Sequence, residues 1–273
     1  MLLSILIRIE INEECMTSEE RAIHFSLRED YREQQFKQVW VEELDDVFSD
    51  LAVYYDRANH VASLGLLNWL RDRFISSIDV KSGQKVLDVC GGTNAIGIAL
   101  LSKQPDLKVH AMDRSKAMQA VGQERANKQG FHIESTIGDV HTLPFPDNHF
   151  DVVTLQYASR HLRIMDVCRE VKRVLKPGGH FYHCDMLRPA NKIVETCYYA
   201  YLRFCLNFTG LLFRSPPSAH GAKQYFIDAL RHFYSADELS DMLRDIGFEP
   251  VASKSQLGGM VGNHRAIKPL DTR

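Results

Sequence analysis

The residues whose types and spacing could do chemistry lie around a glycine pair. Gly91 and Gly92 follow the apolar run VLDV, and a helical stretch comes directly after them. Glycines let the backbone turn sharply against a ligand, and the free N–H groups at the start of a helix favour a carboxylate. Asp113 and Asp139 follow two later strand-like runs, where a carboxylate can accept hydrogen bonds from ribose hydroxyls or from an adenine amino group. The pattern predicts a site for an adenosine-containing ligand.

Other interpretations of the glycine pair remain open at this point. A turn of this kind also binds dinucleotides, and a tight turn with no ligand is the simplest alternative. The letters GGTN lack the GxGxxG spacing that a pyrophosphate usually requires, which disfavours a nicotinamide dehydrogenase.

The elements that must position these residues alternate between strands and helices. Helices are predicted at 95–103, 115–128 and 163–175, between the strand-like runs KVLDV, KVHAMD, FHIESTIG, FDVVTLQY and HFYHCDM. Helices of this length between strands imply crossover connections and a parallel sheet. With EPVASKS and VGNHRAI added, we expect an α/β fold, a doubly wound, mostly parallel seven-stranded sheet with helices on both faces. Pro177, Gly178 and Gly179 are expected to form a turn before the fifth strand.

Less regular segments flank this core. Residues 1–50 are expected to be a helical or partly disordered extension, in which 17–50 form one or two solvated helices as an appendage to a domain at 51–273. A helix is predicted over 54–78, where apolar residues recur at three and four. The aromatic-rich stretch 191–213 predicts a helical lid within an insertion at about 187–230. Glu195 and Arg203 argue against a membrane span there.

Composition narrows the function classes. The 273 residues carry 33 basic and 35 acidic side chains, a net charge of -2, so no basic field would draw the chain onto nucleic acid. The six cysteines form no CxxC pair, which predicts reduced core residues and no metal site. Arg8 and Glu10 interrupt the apolar start, so a signal peptide is not expected and a cytoplasmic setting is. The first fifteen residues are either an extension or precede a true start at Met16.

Several motifs together resemble a known family. The runs VLDVCGGTN, GDVHTLPFPDNHFD and RVLKPGG, with Asp113 between the first two, are similar to class I S-adenosylmethionine-dependent methyltransferases. Within that class the chain resembles the ubiquinone/menaquinone biosynthesis C-methyltransferases over roughly 50–268. The runs that carry this closer likeness are YDRANHVASLG at 55–65, DVCGGTN at 88–94, LPFPDNHFD at 143–151, QYASRHL at 156–162 and RVLKPGG at 173–179.

The resemblance implies a Rossmann-like methyltransferase fold and S-adenosylmethionine as cofactor. The cofactor-binding residues that it implies are Tyr55, Asp88, Gly91, Gly92, Thr93, Asn94, Asp113, Arg114, Asp139, Val140 and Gln156. Tyr55 shares one helix face with Asn59 and Ser63, and the family closes this region over the cofactor; simple helix packing is the alternative.

Three segments depart from the family pattern. Asn94 and Ala95 stand where the family usually has Gly and Asp, although Asn tolerates a left-handed backbone. Leu67 and Asn68 replace a common His-Arg pair, and the family's FGxRN becomes YASRH at 157–161. These changes leave cofactor binding intact and weaken the assignment of a quinone precursor as substrate.

The reaction suggests roles for two residues near the end of the fourth strand. A ring carbon becomes nucleophilic when an adjacent phenol is ionised, so the site needs a cation and a base. We expect Arg160 to stabilise the phenolate, directly or through a water, and His161 to serve as base. The alternative makes Arg160 an ion-pair partner and His161 a helix cap. His141 and His149 are expected to be loop histidines.

Three functions compete at this point. The leading one is methylation of a ring carbon in a phenolic or quinone-like, lipophilic acceptor. The others are O- or N-methylation of a small metabolite and a non-catalytic, cofactor-binding member of a biosynthetic complex. For the stretch 191–213, a lid over a lipophilic substrate competes with ordinary core, a homodimer face and peripheral contact with a membrane.

Overall fold

A seven-stranded sheet in the order β3-β2-β1-β4-β5-β7-β6 forms the centre of the protein. The computed structural model describes residues 16–40, 60, 63, 65–212 and 219–270. The strands are β1 Lys85–Val89, β2 Lys108–Asp113, β3 Glu134–Ile137, β4 Phe150–Gln156, β5 Leu175–Met186, β6 Val251–Gln256 and β7 Val261–Ile267. Strands β1 to β5 pair in parallel, whereas β7 runs antiparallel to both β5 and β6. The predicted doubly wound, mostly parallel sheet is confirmed.

The chain reverses direction across the sheet between β1 and β4. From β1 it moves outward to β2 and β3, then returns to place β4 on the other side of β1. Such a reversal leaves a crevice at the carboxyl ends of the two neighbouring strands. Both strands are buried by helices on the two faces, which explains their nearly continuous apolar sequence.

Eight described helices cover the sheet. They are α1 Ser18–Gln38, α2 Leu66–Ser77, α3 Ala95–Lys103, α4 Lys116–Lys128, α5 Ile164–Val174, α6 Lys192–Leu212, α7 Ala219–Arg231 and α8 Ala236–Asp245. Side chains of α2, α3 and α4 fill the core on one face, and those of α1, α5 and α8 fill it on the other. Ser235 caps α8 through a capping box with Glu238.

Two predicted elements differ from the structure. Within the range expected as one helix, 54–78, α2 begins at Leu66 after Gly65, whose φ is 82°; residues 41–59, 61, 62 and 64 lie outside the described part. The Pro-Gly-Gly turn lies within β5. There the pairing with β4 moves from Phe150–Leu175 to Val152–His180, so the turn is an irregularity of the strand rather than its boundary.

The first helix is part of the core, and its prediction as a solvated appendage was wrong. Phe25 belongs to the main hydrophobic cluster. Arg32 is 0% exposed and donates to Glu29 at 2.6 Å, and Tyr234 donates to the same carboxylate at 2.8 Å. Charged residues usually indicate a solvated face, but here they pair with each other inside the protein, which sequence periodicity does not reveal.

The insertion after β5 is helical, as predicted, and consists of α6 and α7. The two helices pack through Tyr198, Tyr199, Leu202, Ile227 and Leu230. Among the residues that the structure describes, no helix is long and apolar enough to cross a bilayer.

Candidate active site

In the glycine turn after β1, every second residue has a left-handed backbone conformation. Cys90, Gly92 and Asn94 have φ values of 55°, 50° and 56°. A Cβ at Gly91 would lie 3.1 Å from the Cβ of Ala111 and 3.2 Å from Oδ2 of Asp88. Glycine at position 91 avoids this crowding, and glycine at position 92 adopts the left-handed backbone without strain.

Asn94 keeps the turn in place of the family's glycine. Its backbone is left-handed, as expected, and its Oδ1 accepts a hydrogen bond from Nε2 of Gln119 at 2.9 Å. The side chain is fully buried against α4, where a Cβ at Gly122 would come within 2.7 Å of it. Through this contact with α4, the side chain of Asn94 stabilises the turn.

Asp113 ties the glycine turn to the start of α4. Its Oδ2 accepts from the backbone N–H of Gly92 at 2.8 Å, and its Oδ1 accepts from that of Ser115 at 2.8 Å. A carboxylate oxygen has two acceptor positions, so these bonds orient the group without exhausting its capacity. Its position at the end of β2 suits recognition of a ribose, as predicted.

Asp88 is a buried carboxylate beneath the turn. Thr154 donates to its Oδ1 at 2.7 Å, whereas Oδ2 is buried and has no hydrogen-bond partner among the described residues. Burial raises the pKa of Asp88 to about 7. An acceptor in this position is available to a donor on a bound ligand.

Asp139 and His141 form a local pair after β3. Oδ1 of Asp139 accepts from the backbone N–H of His141 at 3.0 Å and lies 2.5 Å from its Nδ1. Nε2 of His141 accepts from the backbone N–H of Arg163 at 3.1 Å, so the proton of the neutral ring is on Nδ1. Burial alone would raise the pKa of Asp139, but the hydrogen bonds from His141 outweigh it and the pKa is lowered.

These groups line one cavity of about 760 Å³ at the carboxyl ends of β1 and β4. The predicted residues that line it are Asp88, Gly91, Gly92, Thr93, Asp113, Arg114, Asp139, Val140, Gln156 and His161. Asn94 and Arg160 are not among the lining residues, and Tyr55 lies outside the described part of the chain. The size suits a nucleoside-type ligand together with a second molecule.

Arg160 faces the protein interior. Its Nη1 donates to Oδ1 of Asp185 at 2.9 Å and to the carbonyl of Tyr157 at 3.1 Å, and its guanidinium lies 4.6 Å from the ring centre of Phe226. The other oxygen of Asp185 accepts from the backbone N–H of Ser159 at 2.7 Å. The pair therefore fixes the short 3-10 helix Ser159–His161.

His161 lines the cavity at the end of that short helix. Its Nδ1 is hydrogen-bonded to the hydroxyl of Tyr225 on α7. Burial, with the positive charges of Arg160 and Arg32 nearby, lowers the pKa of His161 well below its usual value. The ring is consequently neutral at physiological pH.

Several lining residues were not found from the sequence. Glu33, Lys37 and Trp40 reach the cavity from α1 and the residues just after it. Arg71 and Arg163 add two more cations. The signal for α1 was present in the four-residue spacing of Arg32, Phe36 and Trp40, but the surrounding charges obscured it. Within the described part of the chain, no residue of α6 or α7 is among those that line the cavity, and the role of the insertion as a lid stays a prediction.

The chemistry of the cavity fits S-adenosylmethionine. Asp88, Asp113 and Asp139 offer carboxylate acceptors for amino and hydroxyl donors. Ala95 and Ile96 bring the start of α3 to the same cavity, where its N–H groups suit a carboxylate. The unpartnered Oδ2 of Asp88 suits a cationic donor.

Comparison with known proteins gives the family. The model of the ubiE/COQ5 methyltransferase family matches residues 34–268. The chain is 35% identical to a demethylmenaquinone methyltransferase of Anoxybacillus flavithermus, covering 84% of this chain and 96% of the relative. It is 32% identical to the ubiquinone/menaquinone biosynthesis C-methyltransferase UbiE of Pseudomonas putida, covering 92% and 96%.

The fold also matches solved structures. A crystal structure of a SAM dependent methyltransferase from Aquifex aeolicus superposes with a TM-score of 0.50 at 22% identity, over 73% of this chain and 88% of that one. Together with the extent of the family match, the sheet order and the cavity lead to one conclusion. The chain belongs to the ubiE/COQ5 methyltransferase family and is an enzyme that uses S-adenosylmethionine as its methyl donor.

Proposed function

We propose that the protein methylates a ring carbon of a phenolic or quinol-like, lipophilic acceptor. One observation carries this proposal: Trp40, Leu67, Tyr157 and Leu162 line the same cavity as the three carboxylates. An aromatic and apolar lining suits a flat, weakly polar ring. The names of the two relatives, a demethylmenaquinone methyltransferase and a C-methyltransferase of quinone biosynthesis, support the same class of acceptor.

The reaction needs alignment and control of charge on the acceptor oxygen. S-adenosylmethionine supplies an electrophilic methyl group on a sulfonium centre. The protein has to hold the ring carbon in line with that group and stabilise the negative oxygen beside it. Arg71, His161 and Arg163 are among the nitrogen-bearing side chains that line the cavity.

We further propose that Arg160 and His161 have different roles in the reaction. Arg160 acts as a positioning residue through Asp185 and the short helix, whereas His161 contacts the acceptor. Changing His161 to Ala should reduce turnover at least tenfold, roughly the contribution of one lost hydrogen bond, with unchanged cofactor affinity. Arg160→Lys, which keeps the charge beside Asp185, should retain more activity than Arg160→Ala. Equal loss of turnover and cofactor affinity in the His161 variant would refute its role.

The acceptor assignment is tested by locating the methyl group. Purified protein is incubated with isotopically labelled S-adenosylmethionine and demethylated quinols or simple phenols, and the product is analysed by mass spectrometry and NMR. A label on a ring carbon supports the proposal. A label on oxygen or nitrogen supports the metabolite alternative, and cofactor binding by calorimetry without turnover on any acceptor supports a non-catalytic role.

An exposed apolar stripe on α6 suggests where a lipophilic acceptor comes from. Ile193, Tyr201, Phe204 and Phe208 are 76%, 40%, 68% and 47% exposed, at spacings that place them on one side of the helix. Phe204 and Phe208 stack on each other. The basic side chains of Lys192 and Arg203 lie along one flank. We propose that α6 and α7 form a lid whose stripe rests on an anionic membrane surface.

Vesicle sedimentation tests this membrane contact. Changing Phe204 and Phe208 to Ser should abolish binding to vesicles that contain anionic phospholipid, while the matched change of Ile23, which is 56% exposed on α1, should not. Unchanged vesicle binding in the Phe variant would contradict the proposal. If that variant instead converts a dimer to a monomer in analytical ultracentrifugation, the stripe is a homodimer face.

A further inference from the structure

A buried hydrogen-bond chain connects three distant parts of the fold to the cavity. Nε1 of Trp40, just after α1, lies 2.8 Å from the hydroxyl of Tyr225 on α7. The same hydroxyl is bonded to Nδ1 of His161. Trp40 and Tyr225 are 7% and 6% exposed, so water does not compete strongly for these bonds.

Trp40 fixes one end of this hydrogen-bond chain. An indole N–H can only donate, so the oxygen of Tyr225 accepts from Trp40. The hydroxyl of Tyr225 has one proton, and Nδ1 of His161 is a hydrogen-bond partner beside it, so we take Tyr225 as the donor and Nδ1 as the acceptor. A neutral imidazole has one protonated and one unprotonated nitrogen. The proton of His161 is therefore on Nε2.

We propose that Tyr225 is a positioning residue, which holds His161 as the Nε2–H tautomer and makes it a hydrogen-bond donor to the acceptor oxygen rather than a base. This inference rests on the proposed function. A donor stabilises negative charge as it develops on the ring oxygen, and this charge makes the adjacent carbon nucleophilic. Tyr225 itself does not line the cavity and acts only through the ring that does.

The surroundings of the hydrogen-bond chain keep the His161 ring neutral and hold its partners in place. Arg160 and Arg32 place positive charge near the ring and oppose its protonation. The aromatic ring of Phe36 packs edge-on against Tyr225 and, at 6.2 Å between centroids, beside Trp40. Phe36, Trp40, Tyr225 and Ala229 form a separate small core, which keeps the donor and the acceptor in contact.

NMR of the full-length protein with ¹⁵N-labelled histidine tests the tautomer directly. Long-range ¹H–¹⁵N correlations distinguish the protonated ring nitrogen from the unprotonated one, and the His161→Gln variant assigns the signal. We expect a pure Nε2–H pattern from pH 6 to 8 in the wild type. In Tyr225→Phe the pattern should become a mixture, with a fall in kcat of about tenfold and an unchanged Kd for S-adenosylmethionine.

Two further variants make the result decisive. Trp40→Phe removes the indole N–H that donates to the Tyr225 hydroxyl, and it should also yield a mixture of tautomers. Tyr198→Phe removes a hydroxyl that is equally buried but has no hydrogen-bond partner among the described residues, so it should change neither spectrum nor kcat. An Nδ1–H pattern in the wild type, or an unaltered pattern in Tyr225→Phe, overturns the proposal. A correct pattern without any methylation of quinols would instead refute the proposed acceptor.

Discussion

Nδ1 of His183 donates a hydrogen bond to Nδ1 of His264 across β5 and β7, at 3.2 Å. The direction of this hydrogen bond follows from the other partners of the two rings. Nε2 of His264 lies 2.9 Å from the carbonyl of Ala236, which can only accept. Nε2 of His183 accordingly accepts from the hydroxyl of Ser159 at 2.6 Å. Two neutral histidines thus support the short helix that carries His161.

Acid should destabilise the protein through this pair. Burial, followed by the neighbouring His264, lowers the pKa of His183 well below its usual value, and burial lowers that of His264. Asp237 favours the charged form of His264 and Arg244 opposes it. Because the folded state prefers neutral rings, their stabilisation is complete above about pH 6.5 and is lost as the pH falls below it.

Urea unfolding at a series of pH values measures the effect. We expect the free energy of unfolding to fall by about 1.4 kcal/mol per pH unit for each histidine below pH 6.5. His264→Gln, whose amide can donate to Ala236 and accept from His183, should lessen this slope. The exposed His132→Gln should not change it. A slope that is identical in all three proteins would rule out the pair as its source.

Cofactor affinity should rise with pH around neutrality. Burial raises the pKa of Asp88 to about 7, and a bound cation favours its ionised form. The affinity for S-adenosylmethionine should consequently increase between pH 6 and pH 8, with release of a proton on binding. Calorimetry in buffers of different ionisation enthalpy measures both quantities. Asp88→Asn should bind more weakly and without this pH dependence, whereas the exposed Asp106→Asn should behave as wild type.

Adding one methyl group at the glycine turn should weaken cofactor binding. Gly91→Ala places a Cβ 3.1 Å from Ala111 and 3.2 Å from the Asp88 carboxylate. We expect at least about a tenfold loss of affinity and about 1–3 kcal/mol of destabilisation from overpacking. Gly130→Ala is the control, because its Cβ meets nothing within 4 Å and only its φ of 75° is unfavourable. That control should lose stability and keep its affinity; a loss of affinity in both variants would contradict the local explanation.

The buried pair of α1 should be sensitive to removal of one partner. Arg32→Met leaves the Glu29 carboxylate buried without its cation, which typically costs about 3–5 kcal/mol. The double variant Glu29→Gln, Arg32→Met should recover part of this loss, since the glutamine still accepts from Tyr234. Denaturant unfolding of the single and double variants measures the coupling free energy between Glu29 and Arg32. A double variant no more stable than Arg32→Met would show that the charge of Glu29 is not the cause.

The sequence allowed the sheet and the cofactor end of the cavity to be predicted because both depend on local patterns. Alternating strands and helices determine the sheet, and its carboxyl edge brings Asp88, Asp113 and Asp139 together. Asn94 has the left-handed backbone that its side chain tolerates in place of the family's glycine. In each case the deciding interaction lies within a few residues or between neighbouring strands.

The acceptor side of the cavity could not be predicted in the same way. Trp40 and Tyr225 are 185 positions apart, and no periodicity relates them. Arg160 matched the family's arginine, but only the fold shows that its charge is paired with Asp185. The catalytic roles of Arg160 and His161 stay predictions.

The separation between Trp40 and Tyr225 also has a consequence during synthesis on the ribosome. The cofactor-binding strands β1, β2 and β4 are complete once residue 156 has been made, whereas the bond that orients His161 requires residue 225. Closing so long a loop comes late in folding. A nascent chain can therefore acquire its cofactor pocket well before it has an ordered place for the acceptor.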